Sequence, residues 1–346
     1  MTCGLLQKSG RRFLGHGRFY EEQYQDYYER PGIEQYDGGR YVVMAEWMKS
    51  ALGDDFAPQS VLDVGCGAGW SMQAVKRLYP DATIAGIEPS TINAAKARLA
   101  GFCVAEERLG EGLPADQPYD LIYSINVLQH VVDPASFCKD LAARLTERGR
   151  IALVVPDASE PSHELMWSDH NYSFRPGDLS GLARQAGLQV VNWEPNPLNN
   201  ALLNKQIVIL TRADGSHARD ILIDTPPAIN SLFAKRASYM STWQTLDYAL
   251  MDRFAGHDRI FNFGASMWTW LLAGYCPNYW RSVSACLVDG GSGRCVDKVV
   301  ASPTDIRFVE GDCIVLGVNP VNQAGFERRL RGLGVDIVGW TDKINA

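Results

Sequence analysis

Two acidic residues and three glycines have the spacing of a turn that binds a nucleoside. Gly65, Gly67 and Gly69 follow an apolar run that contains Asp63, and Glu88 ends the next apolar run nineteen residues beyond Gly69. Glycine has no Cβ and tolerates positive φ, so alternate glycines let a ligand approach the backbone closely. A carboxylate at the end of the second strand is suited to accept hydrogen bonds from both ribose hydroxyls of an adenosine group. The pattern therefore predicts a nucleoside-binding turn.

The spacing differs from the dinucleotide fingerprint G-x-G-x-x-G, because Trp70 occupies the last position of that motif. The segment 63–69 instead resembles the glycine-loop motif of class I S-adenosylmethionine-dependent methyltransferases, and Glu88 matches the ribose-binding acid of that family. The resemblance implies an α/β fold with a Rossmann-like sheet, S-adenosylmethionine as the cofactor and methyl transfer as the reaction. A tight strand–helix turn without a ligand is the alternative interpretation.

The resemblance and the position of the turn together define candidate cofactor-binding residues. We expect the glycines to admit the methionine part of the cofactor, Asp63 to orient the turn, and Glu88 to hold the ribose. The complete set of candidates is Asp63, Gly65, Cys66, Gly67, Gly69, Glu88, Pro89 and Asn126.

Titratable side chains at the same predicted sheet edge are candidates for the acceptor site. His170 and Tyr172 lie in a polar and aromatic loop, residues 167–174, that follows the predicted fifth strand. A hydroxyl or carbon acceptor must lose a proton, and the ordinary pKa of histidine lies closest to neutrality. We therefore predict that His170 is the base and that Tyr172 orients the acceptor. The alternative is that His170 only ties the loop to the sheet.

Three further residues are candidates for contact with the acceptor. His130 lies in the segment 126–134, which resembles the motif after strand four of small-molecule methyltransferases, although Gln129 stands where an acid is more usual. A hydrogen bond from His130 to the backbone is the alternative. Tyr24 and Tyr28 share one face of a predicted N-terminal helix, and such helices often cover the active site in the resembled family. Packing is the alternative role of that face.

Alternating strands and helices place these candidates at one edge of a parallel sheet covered on both faces. A turn is predicted at Tyr36–Arg40, and a helix over Tyr41–Leu52 leads into the first strand. The predicted strands are residues 61–64, 83–87, 102–105, 119–125 and 151–155, followed by an edge hairpin of 190–193 and 206–210.

The C-terminal part of the chain repeats the opening pattern in a weaker form. An apolar run meets a small-residue turn at Gly264, and Asp289 closes the next run 25 residues later, against 23 residues from Gly65 to Glu88. This part resembles the C-terminal domain of nucleotide-sugar C-methyltransferases, which implies a second Rossmann-like unit that helps to form the acceptor site. A nucleotide site within the second unit is the alternative.

One departure from that second resemblance concerns the N-terminus. Nucleotide-sugar C-methyltransferases usually begin with a cysteine-rich zinc module, whereas this chain has only Cys3 in that region. The prediction of a sugar-nucleotide acceptor therefore rests on the C-terminal pattern alone. Four parts are predicted: an N-terminal helical segment (1–52), an S-adenosylmethionine-binding methyltransferase domain (53–212), a helical linker (213–256) and a smaller C-terminal Rossmann-like domain (257–346).

The composition of the chain indicates which classes of partner are not expected. The 346 residues carry a formal net charge of −7 with scattered basic residues, which argues against a nucleic-acid partner. The eight cysteines include no C-x-x-C pair, so neither a metal site nor a disulfide framework is expected, and reduced thiols indicate a cytoplasmic protein. No apolar stretch has the length of a signal peptide core or a membrane span. The sequence is compatible with a homodimer.

The predicted function is methyl transfer from S-adenosylmethionine to a small-molecule acceptor. A sugar, nucleotide-sugar or glycan-pathway intermediate is the first acceptor class. The hydroxyl or amine of an unrelated natural product or metabolite is the alternative, and a non-catalytic S-adenosylmethionine-binding or scaffold protein is the third. The sequence leaves open whether oxygen, nitrogen or carbon is methylated.

Overall fold

The chain is described from a computed structural model that covers residues 5–7, 33–109, 118–167, 169–196, 204–213 and 226–340. For residues 33–38 and 226–227 only the helical backbone is described. The chain divides into two compact units, residues 1–233 and 234–346. Among the helices in the described ranges, none combines the length and the apolar content that crossing a membrane requires.

The first unit contains a seven-stranded, mostly parallel sheet. Its strands, together with a short separate pair, are β1 (Leu6–Gln7), β2 (Ser60–Val64), β3 (Thr83–Ile87), β4 (Cys103–Ala105), β5 (Tyr119–Ile125), β6 (Leu145–Pro156), β7 (Tyr172–Ser173), β8 (Leu188–Pro195) and β9 (Lys205–Arg212). The sheet order is β4-β3-β2-β5-β6-β9-β8, with β9 antiparallel to both of its neighbours. Strand β1 pairs antiparallel with β7.

Helices cover both faces of this sheet. They are α1 (Ile33–Leu52), α2 (Trp70–Leu78), α3 (Thr91–Leu99), α4 (Pro134–Ala143) and α5 (Pro176–Gln185). On one face, Met48 of α1 and Met72 of α2 pack in a buried apolar cluster. On the other face, Leu141 of α4 and Leu179 of α5 belong to a second cluster. Because both faces are covered, the central strands are mainly apolar and mostly buried, as expected of a parallel sheet.

The predicted α/β fold with a Rossmann-like sheet is confirmed, and so is the C-terminal edge hairpin. The turn predicted at Tyr36–Arg40 is wrong, because these residues lie inside α1. The prediction relied on Gly38 and Gly39, each of which costs a helix about 1 kcal/mol relative to alanine. Packing of the later turns of α1, around Met44 and Met48, on the sheet stabilises the helix despite this cost.

The second unit contains a six-stranded sheet. Its strands are β10 (Arg259–Phe263), β11 (Val283–Leu287), β12 (Arg294–Cys295), β13 (Lys298–Ala301), β14 (Asp312–Leu316) and β15 (Asp336–Val338), in the order β12-β13-β11-β10-β14-β15. Only β12 is antiparallel to its neighbour. The predicted second, smaller Rossmann-like sheet is therefore present. The remaining helices are α6 (Pro226–Arg253), α7 (Met267–Tyr275), α8 (Pro277–Ser282) and α9 (Pro320–Leu330).

Helix α6 contributes to the core of the second unit through its C-terminal half. Trp243 is fully buried and stacks on Trp268, with ring centroids 6.5 Å apart, and it also contacts Trp340 at 6.0 Å. Asp247 accepts hydrogen bonds from the backbone N–H groups of Asn278 and Tyr279 at the start of α8. The second half of α6 is thereby anchored to α8.

Candidate functional site

The glycine turn between β2 and α2 adopts the backbone conformation that its spacing predicts. Gly65, Gly67 and Gly69 have φ values of 80°, 53° and 82°, a region that residues with a Cβ rarely adopt. A Cβ on Gly65 would lie 2.3 Å from Cγ2 of Val127, which follows β5. The turn is therefore held close to the carboxyl end of β5, and glycine is required at position 65 by both conformation and space.

Glu88 lies at the carboxyl end of β3 and points its carboxylate at the glycine turn. Oε2 accepts a hydrogen bond from the Gly67 N–H at 2.9 Å, and Oε1 accepts one from the Ser90 N–H at 2.8 Å. Burial raises the pKa of Glu88 above its ordinary value, against the effect of these two hydrogen bonds. An ionised carboxylate offers about four acceptor positions, so acceptor capacity remains for two further donors such as vicinal hydroxyls.

Asp63 is buried in β2 and joins that strand to the next helix. Its Oδ2 accepts a hydrogen bond from the Ser71 hydroxyl in the first turn of α2. Burial raises the pKa of Asp63 from 3.8 to about 7, and the nearby Glu88 adds to the rise, while the Ser71 hydrogen bond opposes it. The side chain thus fixes both ends of the glycine turn.

Replacing Asp63 with Asn is expected to flatten the dependence of folding stability on pH. Because the pKa of Asp63 is raised from 3.8 to about 7 on folding, its contribution is fully present below about pH 4 and is lost as the pH rises through 7. The loss is on the order of 4 kcal/mol. Urea unfolding between pH 4 and 8 measures it, with Asn at the exposed Asp54 as the control. Equal slopes for wild type and Asp63→Asn would contradict this assignment.

The other cofactor candidates have different surroundings. Asn126, at the end of β5, has a φ of 59°, and its buried Oδ1 has no hydrogen-bond partner among the described residues. Cys66 is buried beside β3, where a Cβ on Gly86 would lie 2.7 Å from its sulfur, and burial raises the pKa of its thiol. Pro89 is half-buried. An unsatisfied buried acceptor is uncommon in native folds, and at Asn126 a donor from a bound ligand would satisfy it.

His170 lies against a buried ion pair that sequence analysis did not identify. Its Nδ1 is 3.0 Å from Oε2 of Glu164, and Oε1 of Glu164 accepts a hydrogen bond from Nζ of Lys205 at 2.9 Å. All three residues are buried. Glu164 belongs to a single 3-10 turn, His163–Met166, and Lys205 is the first residue of β9. The sequence offered no local signal for this pair, because Lys205 and Gln206 precede the apolar part of β9 and charged residues are rarely buried unless they are paired.

Tyr172 and His130 lie near His170, and the structure gives each a protein partner. The Tyr172 hydroxyl donates to the Val132 carbonyl at 2.9 Å and accepts from Nε2 of Gln7 at 3.2 Å. Nδ1 of His130 is 3.0 Å from the Asp169 carbonyl oxygen, and its ring meets the His170 ring edge-on, with centroids 4.7 Å apart. The hydrogen bond to the backbone that is the alternative role of His130 is therefore present, and its contact with the acceptor stays a prediction. Tyr24 and Tyr28 lie outside the described residues.

The loop that contains His170 and the turn after β5 bring together three groups that could ligate a metal ion. His130, Asp169 and His170 each offer one ligand atom, and these atoms lie within 4.8 Å of one another. Imidazole and carboxylate ligands of this kind suit several divalent metals. The sequence argument against a metal considered only the cysteines, so the absence of a metal stays a prediction.

A small pocket opens beside His170 at the carboxyl edge of the sheet. Its lining includes three acidic side chains, all of them on the segment between β6 and β7. The lining residues are Pro156, Asp157, Ala158, Glu160, Ser162, Glu164, Leu165, His170, Tyr172 and Ser173. The pocket and the glycine turn therefore lie at the same edge of one sheet, where open α/β sheets bind their ligands.

The corresponding edge of the second unit is filled by its own residues. A Cβ on Gly264 would lie 2.6 Å from the Gly317 carbonyl oxygen, so the turns after β10 and β14 touch. Asn262, fully buried below them, donates to the Gly264 carbonyl at 2.8 Å and accepts from the Tyr279 hydroxyl at 2.8 Å. Asp289 forms an ion pair with Arg329 at 2.7 Å. These contacts leave the second turn packed against its neighbours.

Comparison with known proteins gives partial matches. Residues 36–192 match a family model described as a methyltransferase domain. The trans-aconitate 2-methyltransferase of Methylobacterium nodulans is 36% identical over 113 residues, which cover 32% of this chain and 43% of that protein. A protein of the same name from Yersinia pestis (strain Pestoides F) is 34% identical over the same length. The chain thus spans less than half the length of these curated relatives.

Several solved structures that resemble part of this chain are named as methyltransferases, and another is named as a [4+2]-cyclase. The magnesium protoporphyrin IX methyltransferase of Synechocystis PCC 6803 is 13% identical, with a TM-score of 0.44, over 60% of this chain and 99% of that one. The 1,6-didemethyltoxoflavin-N1-methyltransferase of Burkholderia thailandensis is 17% identical, with a TM-score of 0.47, over 60% and 92% of the two chains. The family match between residues 36 and 192 includes the glycine turn and Glu88, and it confirms the prediction of a methyltransferase domain in this part of the chain.

Proposed function

We propose that this chain is an enzyme that transfers a methyl group from S-adenosylmethionine to a small-molecule acceptor. The observation that carries the proposal is the buried Glu88 carboxylate, 2.9 Å from the N–H of Gly67 at the centre of a turn of three glycines with positive φ. The sulfonium of the cofactor supplies an already activated methyl group. The task of the protein is then to hold donor and acceptor in line, which can lower the barrier by several kcal/mol or more.

Each residue of the turn has a role in this proposal. Gly65, Gly67 and Gly69 let the methionine part approach the backbone, and Glu88 accepts hydrogen bonds from the ribose hydroxyls. Asp63 keeps the turn attached to α2 through Ser71. The unsatisfied Oδ1 of Asn126 is an acceptor for a donor group of the cofactor.

We assign the acceptor to the pocket beside His170, with His170 as the base and Tyr172 as the residue that orients the acceptor. The space there is at most about 250 Å3 and includes open solvent. Only the reacting group of the acceptor is therefore expected to enter it.

The charge of the lining favours an uncharged or cationic acceptor group. Asp157, Glu160 and Glu164 bring three carboxyl groups to the pocket, and the nearby ammonium of Lys205 is paired with Glu164. Carboxylates accept hydrogen bonds from hydroxyls and attract amines, whereas they repel an anion. A sugar-type hydroxyl or carbon acceptor fits this lining. An amine of another metabolite is the second candidate. The trans-aconitate that appears in the names of the relatives is an anion, so it fits this acidic lining less well.

In the C-terminal unit, only the sequence pattern supports the proposal of a sugar or nucleotide-sugar acceptor. The resemblance to the C-terminal domain of nucleotide-sugar C-methyltransferases is drawn from the sequence pattern of residues 257–346. The turn at Gly264 is packed against Gly317, and Asp289 is paired with Arg329. We therefore propose that this unit has a structural role and does not bind a nucleotide of its own.

Thermal unfolding with added ligands tests the cofactor. At 100 times its dissociation constant, S-adenosylhomocysteine is expected to stabilise the protein by about 2.7 kcal/mol, or roughly 5–10 °C in Tm. NAD at the same concentration is expected to leave Tm unchanged, because Trp70 replaces the last glycine of the dinucleotide motif. Stabilisation by NAD alone would point to an oxidoreductase and contradict the proposal.

A further inference from the structure

The group behind His170 is a chain of three buried polar side chains contributed by two separate parts of the sheet edge. Lys205 at the start of β9 donates to Glu164 at 2.9 Å, and the other carboxylate oxygen of Glu164 is 3.0 Å from Nδ1 of His170. The three side chains are 9%, 11% and 11% exposed. We propose that Glu164 is a positioning residue that fixes the tautomer of His170, and that Lys205 keeps Glu164 ionised. This inference rests on the proposed function of His170 as the base.

The charge state of Glu164 follows from its neighbours. Burial alone disfavours the carboxylate, but the ammonium of Lys205 at 2.9 Å and the imidazole nitrogen of His170 at 3.0 Å both stabilise its ionised form. His163 is 3.8 Å from the same carboxylate, and burial lowers its pKa to about 4. His163 is therefore neutral near pH 7, and Lys205 supplies the balancing charge.

An ionised Glu164 determines which nitrogen of His170 carries the proton. A carboxylate only accepts hydrogen bonds, so Nδ1 of a neutral His170 must donate and Nε2 keeps its lone pair. A carboxylate in this position orients the imidazole and stabilises the imidazolium that forms when the base takes a proton. Glu164 also lines the pocket, but one of its carboxylate oxygens faces Lys205 and the other faces His170, so its positioning role is exerted through His170.

The surroundings of His170 include charges from several elements, and a pH profile will report all of them. The titratable and charged groups around it are Glu164, His163, Lys205, His130, Asp169, Asp157 and Glu160. A test that reports on His170 alone is therefore needed. The 15N chemical shifts of the imidazole nitrogens provide one, because they distinguish the two tautomers directly.

Two variants separate positioning from structural support. Glu164→Gln removes the charge but leaves Lys205 buried without its counter-ion, which can destabilise the fold. The double variant Glu164→Leu/Lys205→Met replaces the pair with apolar side chains of similar size, a change that is often neutral for stability. Glu147→Gln on the exposed part of β6 is the matched control.

In the wild type, NMR is expected to find His170 protonated on Nδ1 in its neutral form. In the double variant the tautomer shifts towards Nε2–H, and kcat falls at least about 10-fold with no change in the KM for the cofactor. A wild-type His170 protonated on Nε2, or a folded double variant that keeps both the Nδ1–H tautomer and its kcat, would overturn the proposal. If neither the wild type nor Glu147→Gln transfers a methyl group, the proposed function is contradicted. The tautomer of His170 is measured by NMR without turnover, so it tests the role of Glu164 separately from activity.

Discussion

Replacing His170 with Gln is expected to lower kcat for methyl transfer by about 10²- to 10⁴-fold, the range for removing a general base. Gln has a similar size and can still contact Glu164, so the loop should keep its conformation. The affinity for S-adenosylhomocysteine should not change, because the glycine turn and Glu88 are unaltered. Single-turnover kinetics with labelled cofactor and calorimetry with S-adenosylhomocysteine measure the two quantities separately.

His257→Gln in the second unit is the matched control for this experiment, since His257 pairs with Asp336 near β15. His130→Gln is the informative comparison, because its ring contacts that of His170. If His130→Gln removes turnover and His170→Gln does not, then His130 is the base. Metal content should be measured on the same samples, since loss of both activity and a bound metal in His170→Gln would favour a metal site over a base.

Replacing Glu88 with Ala is expected to weaken the binding of S-adenosylhomocysteine by about 10- to 150-fold. The figure corresponds to the loss of hydrogen bonds to a charged group, about 1.5–3 kcal/mol. Part of the effect comes from the turn itself, because the N–H groups of Gly67 and Ser90 lose their acceptor. Isothermal titration calorimetry measures the change directly.

The control for Glu88→Ala is Glu106→Ala. This change removes an exposed carboxylate that accepts a hydrogen bond from the hydroxyl of Thr91, the first residue of α3. It should bind S-adenosylhomocysteine as the wild type does. Circular dichroism and Tm must show that Glu88→Ala is folded before its affinity is compared. An unchanged affinity in a folded Glu88→Ala protein would remove Glu88 from the cofactor site.

Local patterns predicted the conformation of the glycine turn and the position of Glu88 beside it. The order of strand, glycine turn, helix and closing acid is encoded within the 26 residues from Asp63 to Glu88, and each step has its own signal in hydrophobicity or in glycine spacing. Strands β3 and β5 have the predicted bounds. Here local propensity and the final fold agree, so sequence alone was sufficient.

The acceptor half depends on contacts between distant residues. Glu164 and Lys205 are 41 positions apart, and neither has a local signal for burial, since charged residues are rarely buried unless they are paired. Only the antiparallel pairing of β9 with β6 places Lys205 beside Pro156 and the loop that follows. The misplaced turn at Gly38 and Gly39 has a similar origin, because packing of α1 on the sheet overrides local propensity.

The most direct test of the central claim is a crystal structure of the protein with S-adenosylhomocysteine. We expect both ribose hydroxyls to lie within hydrogen-bond distance of the Glu88 carboxylate, and the methionine part to lie against the backbone of Gly65 and Gly67. We also expect the sulfur to face the pocket beside His170. An adenosyl group bound elsewhere, with Glu88 still in contact only with Gly67 and Ser90, would contradict the account.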